Sequence, residues 1–411
     1  MKTKLLTLFV CLIACISSSG TATDSVQPYL DAVQEKGVNP ATYVVEKLGQ
    51  HDLILFDDSN HQAQEPFDFY IQLLSDASFL KLRPTLYIEL FGIEEQPHID
   101  AFLAAPEKDL SLLFPVFQST YTPHGFQMKS YFDLMEAVYE TNQSLSAEGR
   151  LRVISVSSPA FWPAIETMED YRAFQKTLPG RDYTMYRAIL DDLQGQGDGS
   201  KGVFLTNTRH AYTSIRKPNG EFFWNTGTFF RQWHPGKSFS IRIHGPQLFI
   251  EAVYANTADR DAQGLSSKKY RWGRMEQGLW DSAFKQNNDV PVAFDLNGTP
   301  FGAADYVGNH MVEAAPGQHM AEAYDGLIFL VPLDSLRATE KVDYIYTEDF
   351  LREIERRLMI YRTQEELDRA MERAGVSDLR ALVISQTRPS AEKPLLPAGT
   401  LGPIDAWKTG D

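Results

Sequence analysis

Two histidines and several carboxylates stand where apolar runs of the sequence give way to polar residues. Asp58 and His61 follow the first such run, with Glu65 four residues further on, while Glu89 and His210 close two later runs. An imidazole titrates near neutral pH and can take a proton from water, and a neighbouring carboxylate can orient its ring. The pattern therefore indicates acid–base chemistry or metal binding.

Two mechanisms are open from these residue types. In the first, His61 or His210 is a general base, and Asp58, Glu65 or Glu89 orients its imidazole. In the second, His61, Glu89 and His210 bind a divalent ion that generates hydroxide from water. Such mixed ligands suit Mn, Zn or Fe better than Ca. We favour the metal-free base, and the cofactor stays open between a divalent metal, haem and none.

Seven apolar runs predict the strands that would position these residues. Between the first two, Phe67, Tyr70, Ile71 and Leu74 repeat at the spacing of one helix face. Alternating strands and helices predict an α/β fold with a mainly parallel central sheet flanked by helices, followed by a helical C-terminal part. The predicted strands are 52–58, 84–90, 151–157, 203–206, 238–243, 290–295 and 326–331.

The predicted topology brings the polar residues to one place. Ligands of open parallel sheets bind outside the carboxyl ends of the strands, so we expect Asp58, His61, Glu89 and His210 to converge there. Glu89 is the most informative, since it follows the apolar Ile88 in its strand. A buried carboxylate without a partner is costly, which predicts either a partner or a function for Glu89.

The N-terminus has the pattern of a secretory leader. Lys2 and Lys4 precede an apolar run that ends at Cys15, and small residues follow. We predict a signal peptide over 1–22, one α/β domain over 23–385 and an extended tail over 386–411. The stretch 12–15 resembles a bacterial lipobox with Cys15 as the lipidated residue, and ordinary cleavage near Ala22 is the alternative. Either route predicts an exported protein of the periplasm or cell envelope.

Composition narrows the expected partners. Cys11 and Cys15 are the two cysteines of the chain, so the body after the leader has no disulfide. The net charge of -15 argues against a nucleic-acid partner and against docking on anionic lipid. We expect a small-molecule substrate or ligand, with membrane contact only through a lipid anchor.

Short motifs spread over residues 50–335 resemble the erythromycin esterase family and its relatives, the ChaN-like haem-binding lipoproteins and the Tiki-type metalloproteases. The carrying segments are Phe56-Asp57-Asp58-Ser59-Asn60-His61, similar to a Gly-Glu-x-x-His opening; Tyr87-Ile88-Glu89; Thr206-Asn207-Thr208-Arg209-His210, similar to Gly-Asn-x-His; and 324–329 as a closing strand. Asp57 and Asp58 depart from the glycine and glutamate of that opening, and Ser157-Ser158 stands where many relatives have aspartate.

The resemblance implies a hydrolase-like α/β domain. In that reading His61 is the base, Asp58 or Glu65 its orienter, Glu89 a second carboxylate and His210 a partner across the cleft.

Two alternatives stand beside the hydrolase. One is a non-catalytic lipoprotein that binds haem or another ligand through His310 and His319. The other is a structural envelope protein with a degenerate site, which the departures at Asp57 and Asp58 would explain.

Overall fold

A computed structural model of the chain describes residues 26–253, 268–306, 314–402 and 404. Its centre is a seven-stranded sheet in the order β3-β2-β4-β1-β5-β9-β8. Every described pairing in it is parallel except that of β8 with β9. The strands are Leu53–Asp57 (β1), Thr85–Gly92 (β2), Val153–Ser157 (β3), Gly202–Thr206 (β4), Ser238–Ile243 (β5), Gln247–Val253 (β6), Lys268–Gly273 (β7), Val292–Asp295 (β8), Gly326–Phe329 (β9), Arg337–Ala338 (β10) and Lys393–Pro394 (β11).

Helices cover both faces of this sheet and continue beyond its last strand. The described α-helices are Gln27–Lys36 (α1), Pro40–Gln50 (α2), Glu65–Leu73 (α3), Ala77–Lys81 (α4), Gln96–Ala104 (α5), Phe114–Gln118 (α6), Lys129–Ser144 (α7), Met168–Thr177 (α8), Arg181–Gln196 (α9), Thr208–Ala211 (α10), Thr226–Trp233 (α11), Leu279–Gln286 (α12), Pro300–Ala303 (α13), Met320–Ala323 (α14), Glu348–Tyr361 (α15), Gln364–Ala374 (α16) and Leu379–Gln386 (α17). Short 3-10 helices lie at Ile93–Glu95, Leu110–Leu113, Ala147–Gly149, Trp162–Ala164, Met275–Gly278 and Leu333–Ser335.

Strand alternation divides the core between the two faces of the sheet. In β1, Ile54 and Phe56 join one apolar cluster, whereas Leu53 and Leu55 join the other. All five residues of β1 are buried, as expected for a central parallel strand covered on both faces. The predicted mixed α/β class with a mainly parallel sheet is confirmed.

The C-terminal part is helical, as predicted. Its helices α15 to α17 share a small apolar cluster that includes Phe350, Ile354 and Leu367. Thr363 and Glu366 form the capping box expected at the start of α16. After α17 the chain pairs β11 with β10, which places the segment around 393–394 beside Arg337 and Ala338. Among the described residues, no helix is both long and apolar enough to cross a membrane.

A buried polar cluster ties β1 to β5 and to Tyr324, two residues before β9. The Asp57 carboxylate, with no exposed surface, accepts hydrogen bonds from the Arg242 guanidinium at 2.8 Å and the Tyr324 hydroxyl at 2.6 Å. Its other oxygen accepts from the Ser59 amide at 2.7 Å and the Thr208 hydroxyl at 3.0 Å. Both oxygens of the buried Asp57 carboxylate thus accept hydrogen bonds, so we assign Asp57 a structural role at this edge of the sheet.

Tyr324→Phe should therefore lower the free energy of unfolding by about 1.5–3 kcal/mol, the range for hydrogen bonds to charged groups. Urea denaturation measures the change. Tyr361→Phe is the matched control, because that hydroxyl donates to the neutral Tyr171 hydroxyl at 3.2 Å and should contribute about 1 kcal/mol. Equal losses in the two variants would contradict the role given to Asp57.

Candidate active site

A tight turn after β1 folds the chain back over the carboxyl edge of the sheet and presents His61. Ser59 adopts a left-handed conformation, with φ of 62°, and the Asn60 amide donates to the Asp58 carbonyl at 2.6 Å. Gly245, which follows β5, packs against this turn, and a Cβ there would lie 1.9 Å from the Ser59 hydroxyl oxygen. The close approach requires glycine at 245.

His61 is held through both ring nitrogens. Its Nδ1 lies 2.5 Å from Asp58 Oδ2, and its Nε2 lies 3.0 Å from Glu89 Oε2. The Tyr131 hydroxyl lies 3.1 Å from Nδ1. Asp58 reaches the imidazole although its side chain is shorter than a glutamate. Both carboxylates have side chains only 3% exposed, whereas the His61 side chain is 18% exposed.

Asn207 gives His61 a second kind of contact at Nε2. Its amide nitrogen lies 2.9 Å from that atom, and the amide orientation is fixed because Oδ1 accepts from the Arg209 backbone N–H at 3.1 Å. A neutral His61 can accept from Asn207, whereas a protonated His61 can donate to Glu89. The imidazole therefore has a hydrogen-bond partner for Nε2 in either protonation state.

Glu89 links His61 to a second charged group. Its Oε1 lies 2.7 Å from the Arg181 guanidinium and 3.3 Å from His210 Nε2. Its Oε2 accepts from the Thr206 hydroxyl at 2.8 Å. Glu89 is 3% exposed, so its charge is compensated by partners from α9, α10 and β4 rather than by water.

His210 continues the network toward α9. Its Nδ1 lies 2.7 Å from Asp182 Oδ1, and Asp182 also accepts from the Thr226 amide at 2.9 Å. Arg181 donates to the Ser157 hydroxyl at 2.9 Å and lies 3.0 Å from His210 Nε2. Acids and bases thus alternate in one connected network from Asp58 to Asp182, of which Asp58, Glu89 and His210 are buried.

The two histidines have raised pKa values despite their burial. Burial by itself lowers the pKa of His61, but Asp58 and Glu89 outweigh it and raise that pKa well above its ordinary value. Burial likewise opposes the raised pKa of His210, which Asp182 and Glu89 cause. Burial raises the pKa of Asp58 to about 6, partly offset by His61. The two neighbouring carboxylates thus favour the protonated form of His61.

Glu89 shows the opposite balance. Burial tends to raise its pKa, but Arg181, His210 and His61 hold that pKa well below the ordinary range of a glutamate. Glu89 therefore stays ionised over the whole physiological range, and it remains available to stabilise a protonated His61.

A cleft of about 450 Å³ opens beside His61 at this edge of the sheet. Its lining includes the polar residues Asn207, Thr208 and Arg209 and the apolar residues Phe126, Met128, Leu248 and Trp272. Leu248 and Trp272 face each other in the β6–β7 hairpin. The cleft has room for a small organic molecule against the exposed edge of His61.

The other predicted site residues lie elsewhere. Glu65 begins α3 and pairs with Arg337 at 2.8 Å, so the structure does not bring it to His61. His319 has a half-exposed side chain 3.7 Å from Asp305, away from the residues that line the cleft. His310 and Cys15 lie outside the described residues.

A divalent metal does not fit the residues of this site. Within the described ranges, no group of three or more His, Cys, Asp or Glu side chains is arranged to hold a metal ion. The Arg181 guanidinium already contacts both Glu89 and His210, which themselves lie 3.3 Å apart. A second cation at that position would meet the charge of Arg181 at close range.

Arg181, Asp182 and Tyr131 are site residues that the sequence reasoning missed. Each lies near the start of a helix, α9 or α7, that leads into the next parallel strand. Such a crossover helix begins at the edge where the strands end, so its first turn lies close to the site. The segment Gly180-Arg181-Asp182 begins the helix ahead of the fourth strand, and this position was the sequence feature that could have indicated Arg181 and Asp182.

Comparison with known proteins gives likenesses of fold. No family model matches the chain, and no curated protein matches it in sequence. Seven chains of known structure match. A succinoglycan biosynthesis protein is 7% identical, with 74% of this chain and 96% of that chain covered and a TM-score of 0.49. A mutant of the erythromycin esterase EreC in its open conformation is 9% identical, with 70% and 92% covered and a TM-score of 0.44.

The haem-binding ChaN of Campylobacter jejuni is 9% identical, with 49% of this chain and 85% of that chain covered and a TM-score of 0.27. The resemblance to the erythromycin esterase and ChaN-like group, expected from short sequence motifs, is thus found again as a likeness of fold. With TM-scores of at most 0.49, it carries no argument about the chemistry of the site.

Proposed function

We propose that the protein is a hydrolase that cleaves a small ester in the cleft, with His61 as a metal-free general base and acid. The observation that carries this proposal is the setting of His61 Nε2 between a donor, Asn207 at 2.9 Å, and an acceptor, Glu89 at 3.0 Å. A proton-transfer residue must be stable in both protonation states, and this setting supports both.

In the proposed reaction, a water oxygen attacks the ester carbonyl carbon while neutral His61 takes one of the water protons. The resulting imidazolium is stabilised by Asp58 and Glu89. Collapse of the tetrahedral intermediate breaks the bond to the alkoxide, and His61 returns its proton to that leaving oxygen. The products are an acid and an alcohol, and the histidine ends in its starting state.

We further propose that this activity belongs to the bacterial envelope. The support is the leader pattern over 1–22, with Cys15 as the candidate lipidated residue. Expression with the leader intact, followed by fractionation, tests the location. Recovery of the full-length, uncleaved chain in the cytoplasm would contradict export.

The pH dependence of ester hydrolysis tests the role of His61. A general base must be neutral, so kcat/KM should rise with pH through the raised pKa of His61. Asp58→Asn removes one of the two charges that raise this pKa, and a lower pKa makes neutral His61 available at lower pH. In the variant, kcat/KM should therefore begin to rise at a lower pH than in the wild type.

NMR titration of the His61 ring should show the same downward shift of pKa as the rate profile for para-nitrophenyl esters. His234 is an internal control. Burial and Arg187 lower its pKa, and Asp58 is not among the causes, so its titration should not change in the variant. If Asp58→Asn changes neither the pH at which kcat/KM rises nor the pKa of His61 in the NMR titration, the assignment is refuted.

A further inference from the structure

The cleft contains a cation that the proposed proton transfer does not use. Arg242 and Arg209 both line it, but Arg242 is committed to Asp57 at 2.8 Å and to the Gln247 side-chain oxygen at 3.3 Å. Within the described part of the chain, no carboxylate lies within 4.0 Å of the Arg209 guanidinium, and its buried Nε has no hydrogen-bond partner.

The backbone of Arg209 is nevertheless firmly placed. Its N–H donates to Asn207 Oδ1 at 3.1 Å, and its carbonyl accepts from the Asn225 side chain at 2.8 Å. The same Asn207 contacts His61 at 2.9 Å. Arg209 is therefore linked to the proposed base through Asn207, while its guanidinium has no carboxylate partner among the described residues.

The chain has 54 acidic residues against 39 basic ones, yet no described carboxylate pairs with the Arg209 guanidinium in the cleft. A partly buried N–H donor without a partner is costly, so a ligand that satisfies it gains affinity. The planar fork of an arginine matches a carboxylate through two parallel hydrogen bonds. The chemistry of Arg209 thus favours an anionic ligand group.

Part of the cleft lining is apolar. Phe126, Met128, Leu248 and Trp272 line it, and such a surface gains free energy from burying hydrocarbon. A ligand that pairs with Arg209 and also contacts these apolar residues would carry a carboxylate at one end and an apolar body at the other.

We propose that the substrate is an ester that bears a carboxylate on an apolar body, and that Arg209 binds this carboxylate while His61 acts on the ester. This proposal deepens the hydrolase function and rests on it. Arg209 is then a specificity-determining residue that contacts substrate but exchanges no proton.

Paired esters test this assignment by turnover. Mono-para-nitrophenyl glutarate carries a terminal carboxylate, and para-nitrophenyl valerate ends in a methyl group at the same chain length. Arg209→Gln should lower kcat/KM for the glutarate ester by about 10- to 100-fold, as expected for loss of a charge-assisted pair, and should lower it far less for the valerate ester, so that the preference for the carboxylate is lost. Arg209→Lys should restore part of the loss. Arg388→Gln, at an exposed arginine of the tail, is the matched control.

A binding measurement separates this proposal from the hydrolase function. Phenylbutyrate and its neutral amide are titrated into wild type and Arg209→Gln by calorimetry. The anion should bind wild type more tightly than the amide does, and the variant should lose that preference. If this holds while no ester is hydrolysed, the hydrolase proposal fails and the carboxylate site stands. If Arg209→Gln leaves both the anion affinity and the glutarate preference unchanged, or if wild type shows neither, the carboxylate site is overturned.

Discussion

Replacing Glu89 with alanine is expected to destabilise the protein by about 3–5 kcal/mol, the usual cost of removing one partner from a buried ion pair. The loss leaves Arg181 and His210 facing an empty space that water reaches poorly, since the Glu89 side chain is only 3% exposed. It also frees the Thr206 hydroxyl, which donates to Glu89 at 2.8 Å. Glu89→Gln should cost less, because an amide keeps the volume and part of the hydrogen bonding.

The pH dependence of unfolding separates the charge of Glu89 from its volume. The folded-state pKa of Glu89 is depressed, so its stabilisation is present above the unfolded-state pKa and is lost as the pH falls through the folded-state value. Urea denaturation should therefore show the gap between wild type and Glu89→Gln narrowing as the pH falls below the ordinary range of a glutamate. A gap that stays constant into acid would contradict the ion-pair account.

Glu65→Ala is the matched control for Glu89→Ala. Glu65 is also buried, but its partner Arg337 has a side chain 41% exposed. Water can therefore solvate the Arg337 guanidinium when the mutation removes its partner. We expect a smaller loss of stability than at Glu89. Equal losses at both positions would indicate that burial of a carboxylate, rather than the network around Glu89, sets the cost.

Replacing His61 with alanine is expected to lower kcat/KM for a responsive ester by about 10²–10⁴-fold, the contribution of a positioned general acid–base residue. Some stability should be lost as well, because the mutation removes a partner from Asp58 and from Glu89, whose side chains are 3% exposed, but His61 lies in a turn after β1 rather than in the sheet. Steady-state kinetics and a melting curve on the same preparation measure the two properties separately.

His234→Ala is the control for the loss of an imidazole as such. His234 Nε2 lies 2.8 Å from the Tyr186 hydroxyl, and His234 is absent from the residues that line the cleft. It should keep wild-type turnover. If His61→Ala also keeps it while remaining folded, His61 has no part in the reaction.

The sequence allowed the sheet and the convergence of four polar residues to be predicted, because both follow from local patterns. Each of the seven predicted runs overlaps a strand of the central sheet. Asp58 and His210 follow parallel strands, so they lie at one edge of the sheet. Glu89 was predicted to end its strand but lies within β2, at the point where the regular pairing of that strand stops after Ile88. The structure indeed brings them together around His61.

The partners that set the chemistry could not be predicted, because they depend on packing across long sequence distances. Glu65 follows His61 by four residues, yet it turns to Arg337, which lies beside it only through the fold. Arg181 is separated from Glu89 by 92 residues. The β6–β7 hairpin was also missed, since its strands pair across the segment 254–267 and stand outside the central sheet.

Chemical rescue of His61→Ala tests the proton-transfer claim most directly. Initial rates of ester hydrolysis are measured for wild type, His61→Ala and His234→Ala with and without added imidazole, across a range of pH. We predict that imidazole raises the rate of His61→Ala alone, in proportion to its neutral form, because the base fits the space that the side chain leaves. A folded His61→Ala that hydrolyses the ester as fast as wild type does without imidazole would contradict the account.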